Sequence, residues 1–153
     1  EIPPNTGNVA RLCAATGTPL HLVGPLGFRI DDKHLKRAGL DYWPSVDLTV
    51  HKDWRAFRAH LDAAGEPRLV AASARGGTPH HRFAFAADDW LLLGNEARGL
   101  SGEVLARCHH VVRVPILPCV RSLNLSTSAG VLLMEALRRT GGLDALAEAP
   151  AWR

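Results

Sequence analysis

Three short polar stretches carry the residue types that could bind or activate a ligand: Asn5 to Asn8, Gly94 to Gly99 and Arg121 to Thr127. The last holds Ser122, Asn124, Ser126 and Thr127, after an apolar, β-rich run (Val111 to Ile116) and before a strongly apolar helical run. Strand, polar loop and buried helix in that order present backbone N–H groups and short hydroxyls to a ligand. Ser122 or Asn124 could equally be a plain helix cap, because Ser and Asn are favoured there. Gly94-Asn95-Glu96-Ala97-Arg98-Gly99 has glycines five apart after a predicted strand, which suits a tight turn with close backbone approach. Glu96 and Arg98 then fall at the C-terminal end of that strand, the edge where open α/β sheets bind ligands. A surface ion pair within the loop is the competing reading. Arg11 follows the Asn-rich turn on a predicted helix. A lone helical arginine is usually a solvated residue, and Arg11 gains weight only if that turn faces the same pocket.

Other clusters offer less. The doublets His80-His81 and His109-His110 invite a metal reading, but adjacent side chains on an extended chain point to opposite sides. No HExxH-type motif is present, and no metal is expected. Cys13, Cys108 and Cys119 are odd in number and lack CxxC spacing, so neither a zinc site nor a disulfide framework follows. Cys13 and Cys119 have apolar neighbours and read as small buried hydrophobes. Asp31-Asp32 and Asp88-Asp89 read as turn or N-cap acids. A dinucleotide fingerprint and a Walker sequence are both absent, which disfavours a dehydrogenase.

The elements that must position these residues alternate. Pro3 and Pro4 exclude helix interior before Asn5, and a helix is expected over Val9 to Ala15, closed by Gly17. A strand spans Leu20 to Val23. A short basic helix runs from Asp31-Asp32 to Ala38, with acids at its positive end and bases at its negative end. A loop and short strand fill Tyr42 to Val50. Asp53 to Ala64 is amphipathic, with Trp54, Phe57 and Leu61 at helical spacing. Leu69 to Ala72 is a strand, followed by a flexible loop through Arg75-Gly76-Gly77-Thr78-Pro79. Asp89 to Leu93 is a strand, and Ser101 to Arg107 a short helix. The tail from Gly141 is rich in Ala and Gly and is expected to be frayed or loosely packed. Short loops and continuous apolar strands predict an α/β fold, a parallel sheet with helices on both faces.

The chain has 153 residues, enough for one domain with a sizeable core. It is 46% hydrophobic and 22% charged, with a formal charge of +3 and a pI near 9.1. That mild basic bias permits a nucleic-acid partner without demanding one. No apolar stretch is long enough to span a membrane, and no signal peptide is visible. With the cysteine usage, this suggests a reducing, cytoplasmic setting. The residues alone lead to an α/β protein with a ligand site at strand ends.

The stretches EIPPNTGNVARLCAATG, DDKHLKRAGLDYW, LLLGNEARGL and RVPILPCVRSLNLSTSAGVLLMEALRR resemble the SpoU (SPOUT) class of RNA 2′-O-methyltransferases. The first two resemble most its bacterial branch acting on the wobble cytidine or uridine of tRNA. The resemblance covers essentially the whole chain, residues 1–153, as a single methyltransferase domain in the family's order. It implies a deep trefoil knot in the C-terminal part, a homodimer with sites at the subunit interface, and a strand ahead of Glu1.

It also implies S-adenosylmethionine as methyl donor, held in the knot by Ala72, Ser73, Gly94, Val114, Ile116, Ser122 and Leu123. Small and apolar types suit a planar adenine, which needs apolar walls and a few backbone hydrogen bonds. The implied reaction is attack of a ribose 2′-hydroxyl on the activated methyl. Arg11 is the implied activator. An arginine guanidinium stays protonated, so stabilising the alkoxide is the sounder role than a general base. Asn8, Glu96 and Asn124 match family positions that orient Arg11 and the ribose or phosphate. Lys33, Lys36, Arg37 and Arg98 are candidates for tRNA backbone contacts.

The chain departs from the branch at Asn95, often Pro or Ser there, at Ser101, frequently Pro, and in a longer Arg75-Gly76-Gly77 loop. Two alternatives remain open at this point: another tRNA or rRNA nucleotide as target, or an RNA-binding member without catalysis.

Overall fold

The computed structural model describes residues 3–26 and 42–150. The basic helix expected at 31–38, with Lys33, Lys36 and Arg37, lies outside the described residues. The chain divides into two compact units, Glu1–Glu66 and Pro67–Arg153.

In the first unit, α1 (Pro3–Thr16) starts earlier than the sequence suggests. Pro3 and Pro4 sit in its first turn, where an N–H has no intrahelical acceptor to lose and the fixed φ is already helical. The Asn5 to Asn8 stretch is therefore helix, not a turn ahead of it, and Asn5 is buried. The expected closure holds: Gly17 follows with φ 63°.

The strand β1 (Leu20–Val23) pairs in parallel with β2 (Leu48–His51), Leu20 opposite Leu48 and Val23 opposite His51. A 3-10 turn over Trp43–Ser45 precedes β2. Ala10, Cys13 and Leu20 form a buried cluster against which Val9, Leu22, Tyr42, Trp43, Val46 and Leu48 pack. Burial raises the Cys13 thiol pKa to about 11, as expected of a small buried hydrophobe. The helix α2 (Trp54–Ala63) is capped by Asp53, whose Oδ1 accepts the Ala56 N–H at 2.8 Å. Phe57 and Leu61, one turn apart, are buried.

His21 on β1, His51 on β2 and His60 on α2 form an imidazole cluster. His21 Nδ1 is 2.9 Å from His51 Nε2, and His60 lies 5.0 and 5.1 Å from the two rings, centroid to centroid. Burial lowers the His21 pKa from 6.5, with help from His51 and His60 and against Asp47; burial and then His60 lower that of His51. A bond between two imidazole nitrogens needs one donor and one lone pair, and double protonation removes the acceptor. The folded values lie below the unfolded ones, so the unfolded chain takes up these protons first. Stability is thus full above pH 6.5 and is lost as the pH falls below it. Losing one such bond is expected to lower the thermal midpoint by about 2–4 °C between about pH 7.5 and 5.5. His21→Phe should reduce that dependence.

In the second unit, β3 (Leu69–Ala72), β4 (Thr78–Pro79), β5 (Trp90–Leu92) and β6 (His110–Arg113) form a parallel sheet in the order β4-β6-β3-β5. Among the described residues, the parallel pairing expected from apolar strands is present in every strand pair, distributed over two sheets. β6, last in the chain, lies between β4 and β3. Leu69, Val70 and Ala71 are buried, which is why that strand reads as an unbroken apolar run. Val70, Val112, Phe83, Phe85 and Leu132 make the core, with Phe83 and Phe85 edge to face at 4.8 Å. Leu132 comes from α4 (Leu125–Thr140).

Three expectations need correction here. Thr78–Pro79 is not merely loop but an edge strand on β6, a position where proline costs no ladder bond on the open side. β6 stops at Arg113 rather than reaching Ile116, because Pro115 lacks a donor. Cys119 is exposed, since it lies in the loop beyond β6 and not in a strand. The tail from Gly141 forms α5 (Gly142–Ala147), which rests on α4 with none of its residues buried, the loosely packed alternative rather than the frayed one. Asp89, expected as a turn acid, does accept the Ala86 N–H at 2.8 Å. It also pairs with both Arg68 Nε and Nη2, at 2.5 and 2.7 Å, joining the starts of β3 and β5. Among the described residues, no helix is long and apolar enough to cross a membrane.

Candidate functional site

The sheet of the second unit sets the site. β5, β3 and β6 are adjacent and parallel, so their C-terminal ends share one edge. Ala71 stands beside Leu92 and Ala72 beside Val112, and the Ser73 N–H donates to the Val112 carbonyl at 2.9 Å. With strands about 4.8 Å apart, the loops that follow begin within about 10 Å of one another. That edge gathers Ala72 and Ser73, Gly94, and Val114 to Ile116. The Ser73 hydroxyl accepts the Arg75 N–H at 3.1 Å and turns the chain back.

The loop after β5 is closed on itself. Asn95 and Gly99 exchange backbone hydrogen bonds at 3.2 and 2.7 Å, and Asn95 Oδ1 accepts the Ala97 and Arg98 N–H groups at 2.8 and 3.1 Å. Glu96 sits half-buried in this turn and Arg98 is exposed. Side-chain acceptance by Asn95 makes this turn. Ser101 caps α3 (Gly102–Ala106), its hydroxyl accepting the Val104 N–H at 3.3 Å. Gly94 is required sterically: a Cβ there would lie 2.2 Å from the Gly99 carbonyl carbon and 2.3 Å from the Leu100 nitrogen.

Of the two candidate caps, Asn124 is the one used. Its Oδ1 accepts the Ser126 and Thr127 N–H groups at 2.9 and 3.3 Å, and the Ser126 hydroxyl at 2.7 Å. Ser122 is exposed two residues earlier, and Leu123 is half-buried. Asn124→Ala is expected to cost about 1 kcal/mol of stability, read as a lower thermal midpoint. Asn124→Asp keeps a capping oxygen and should hold that midpoint.

Asn8 and Arg11 belong to the first unit. Both are exposed and lie three residues apart on α1, hence on one helix face. The Arg11 guanidinium carbon lies over the Tyr42 ring, 4.7 Å from its centroid. Sequence reading missed Tyr42. It had only an aromatic pair in a presumed loop to go on, and a contact spanning some thirty residues leaves no local signal.

Chemically, the edge of the second unit offers small residues (Ala72, Ser73, Gly94), half-buried apolar ones (Val114, Ile116, Leu123) and loop backbone. That combination suits a flat heteroaromatic ring with a few main-chain hydrogen bonds. Among the described residues, no group of three or more His, Cys, Asp or Glu could hold a metal ion.

Comparison with known proteins follows the same lines. The model of the SpoU rRNA Methylase family matches residues 1–134. A tRNA (cytidine(34)-2′-O)-methyltransferase of Burkholderia ambifaria is 49% identical over 143 residues, covering 92% of this chain and 91% of that protein. A solved structure described for the 2-OH methylation of C/U34 on tRNA superposes with a TM-score of 0.82 at 50% identity, covering 91% of this chain and 90% of that one. The SpoU methyltransferase AviRb of Streptomyces viridochromogenes, solved with AdoMet, superposes with a TM-score of 0.79 at 28% identity over 90% of this chain and 56% of that one.

Proposed function

The chain belongs to the SpoU rRNA Methylase family, and from that premise we propose that it methylates the ribose 2′-oxygen of the wobble nucleotide of tRNA, cytidine or uridine 34, using S-adenosylmethionine. The observation that carries this reading is near-half identity, along almost the entire chain, to a relative named for that reaction.

The residues at the sheet edge fit the methyl donor. Ala72 and Ser73 are small enough to admit an adenine beside the Gly94 backbone, Val114, Ile116 and Leu123 would wall it, and loop backbone would supply its hydrogen bonds, with Ser122 alongside. When bound, the donor presents a methyl on a sulfonium, which needs no further activation. A ribose 2′-oxygen would take that methyl as the carbon–sulfur bond breaks, with the neutral thioether as leaving group and the hydroxyl proton passing to bulk water. The task left to the chain is to position the oxygen and favour its alkoxide. Arg11 is assigned to stabilise that charge electrostatically. Asn8 orients Arg11, and Glu96 and Asn124 orient the ribose or its phosphate. Arg98, with Lys33, Lys36 and Arg37, contacts the tRNA backbone, a term that weakens with salt.

Three further features belong to this reading. The two units act as one methyltransferase domain, for which the reach of one family model across both is the support. The C-terminal part is threaded as a trefoil knot, which the insertion of β6 between β4 and β3 supports. The protein works as a cytoplasmic homodimer; exposed Leu117, Val120 and Met134 in the second unit are apolar surface that a second copy would cover.

The test is to incubate the protein with labelled S-adenosylmethionine and unmodified tRNA and map the product nucleosides by mass spectrometry. Methyl on the 2′-oxygen of nucleotide 34 is the expected product. Methyl on another tRNA or rRNA nucleotide, or cofactor binding without transfer to RNA, would overturn the assignment.

A further inference from the structure

We propose that Tyr42 is a positioning residue for Arg11, holding the guanidinium over its ring so that the charge is oriented before RNA binds. This deepens the proposed reaction and rests on it. Arg11 is exposed, and an exposed arginine samples many rotamers that must be given up when it meets an anionic oxygen. Here the guanidinium carbon lies 4.7 Å from the Tyr42 centroid, within cation–π range. With its central carbon held over the ring, the guanidinium keeps N–H donors at its outer edge, where an alkoxide or phosphate oxygen can accept them.

The platform itself is held in two ways. The Tyr42 ring packs on the buried Ala10, Cys13 and Leu20 cluster. Its hydroxyl donates to the Gly7 carbonyl at 2.8 Å. Gly7 and Arg11 are four residues apart on α1, so one helix carries both the anchor point and the cation being held. No other tyrosine exists in the chain, since the sequence contains 1.

Steady-state kinetics with tRNA and S-adenosylmethionine test the role, using Tyr42→Leu, Tyr42→Phe and Tyr42→Trp. An exposed cation–π contact corresponds to about a two- to five-fold effect. Tyr42→Leu should lower kcat by about that factor at an unchanged KM for S-adenosylmethionine. Tyr42→Phe and Tyr42→Trp keep an aromatic face and should stay within about two-fold of wild type. A second readout needs no turnover: the Arg11 Cδ protons should show an upfield ring-current shift in the NMR spectrum of wild type and Tyr42→Phe, lost in Tyr42→Leu. If Tyr42→Leu does not fold, the wild-type shift and the two aromatic variants still decide the matter. Unchanged kcat in Tyr42→Leu, aromatic variants that fall below half of wild type, or no shift in wild type overturns the positioning role alone. A wild-type protein that transfers no methyl to tRNA overturns the proposed reaction and this role with it.

Discussion

Arg11→Ala is expected to reduce methyl transfer to tRNA by about two to three orders of magnitude, the usual cost of removing one donor aimed at a developing oxyanion. Affinity for S-adenosylmethionine should barely change, because the residues assigned to the cofactor all come from the second unit, whereas Arg11 stands on α1 of the first. Single-turnover transfer measured beside calorimetric titration of the cofactor separates the two quantities. Arg11→Lys keeps the charge but replaces a planar fork with a point donor that cannot stack in the same way. It should fall between wild type and Arg11→Ala. Full activity in Arg11→Ala would remove Arg11 from the mechanism and leave the cation–π contact as a structural feature of α1.

Gly94→Ala is the second large effect. The added methyl would have to occupy space held by the Gly99 carbonyl carbon at 2.2 Å, the Leu100 nitrogen at 2.3 Å and the Gly99 oxygen at 2.7 Å. All three are backbone atoms, so no rotamer change relieves the contact. The loop must open, breaking the paired Asn95–Gly99 bonds that close it. A cost of about 3 kcal/mol is expected, seen as a fall in denaturation midpoint. Cofactor affinity should fall with it, by more than tenfold in calorimetric titration, as Gly94 is itself an assigned cofactor contact and the loop also carries Glu96. Gly102→Ala is the control: nothing lies within 4 Å of a Cβ there, so that substitution should leave both midpoint and affinity in place.

Much of the local structure was legible because its signals are local. Leu20–Val23 and Leu69–Ala72 form as apolar runs of strand length, with the bounds read from the sequence. Asn124 caps its helix for the reason that makes Asn a favoured cap, a short side chain whose oxygen reaches the next turn's N–H groups. Errors arose where tertiary partners decide. Pro3 and Pro4 excluded helix interior correctly, but the sequence could not show that a helix begins with them. Thr78–Pro79 becomes a strand only because β6 lies beside it. Asp89 looked like a turn acid, and its pairing with Arg68, 21 residues away, depends on β3 and β5 being neighbours.

The candidate site divides in the same way. The residue types along Gly94–Gly99 and Ser122–Asn124, their place after apolar strands, and the resemblance of whole stretches to a methyltransferase family were all present in the sequence. They were enough to single out candidate cofactor residues one by one. Only the tertiary structure put β6 between β4 and β3, and so brought Ala72, Gly94 and Val114 to one edge of one sheet. Only the structure chose Asn124 over Ser122 as the cap, and set the Arg11 guanidinium over Tyr42. The physical reason is common to all of these. Propensity, capping and periodicity act over a few residues and can be read along the chain. Strand order and a stacked cation depend on contacts between segments tens of residues apart, which become defined only when the core packs.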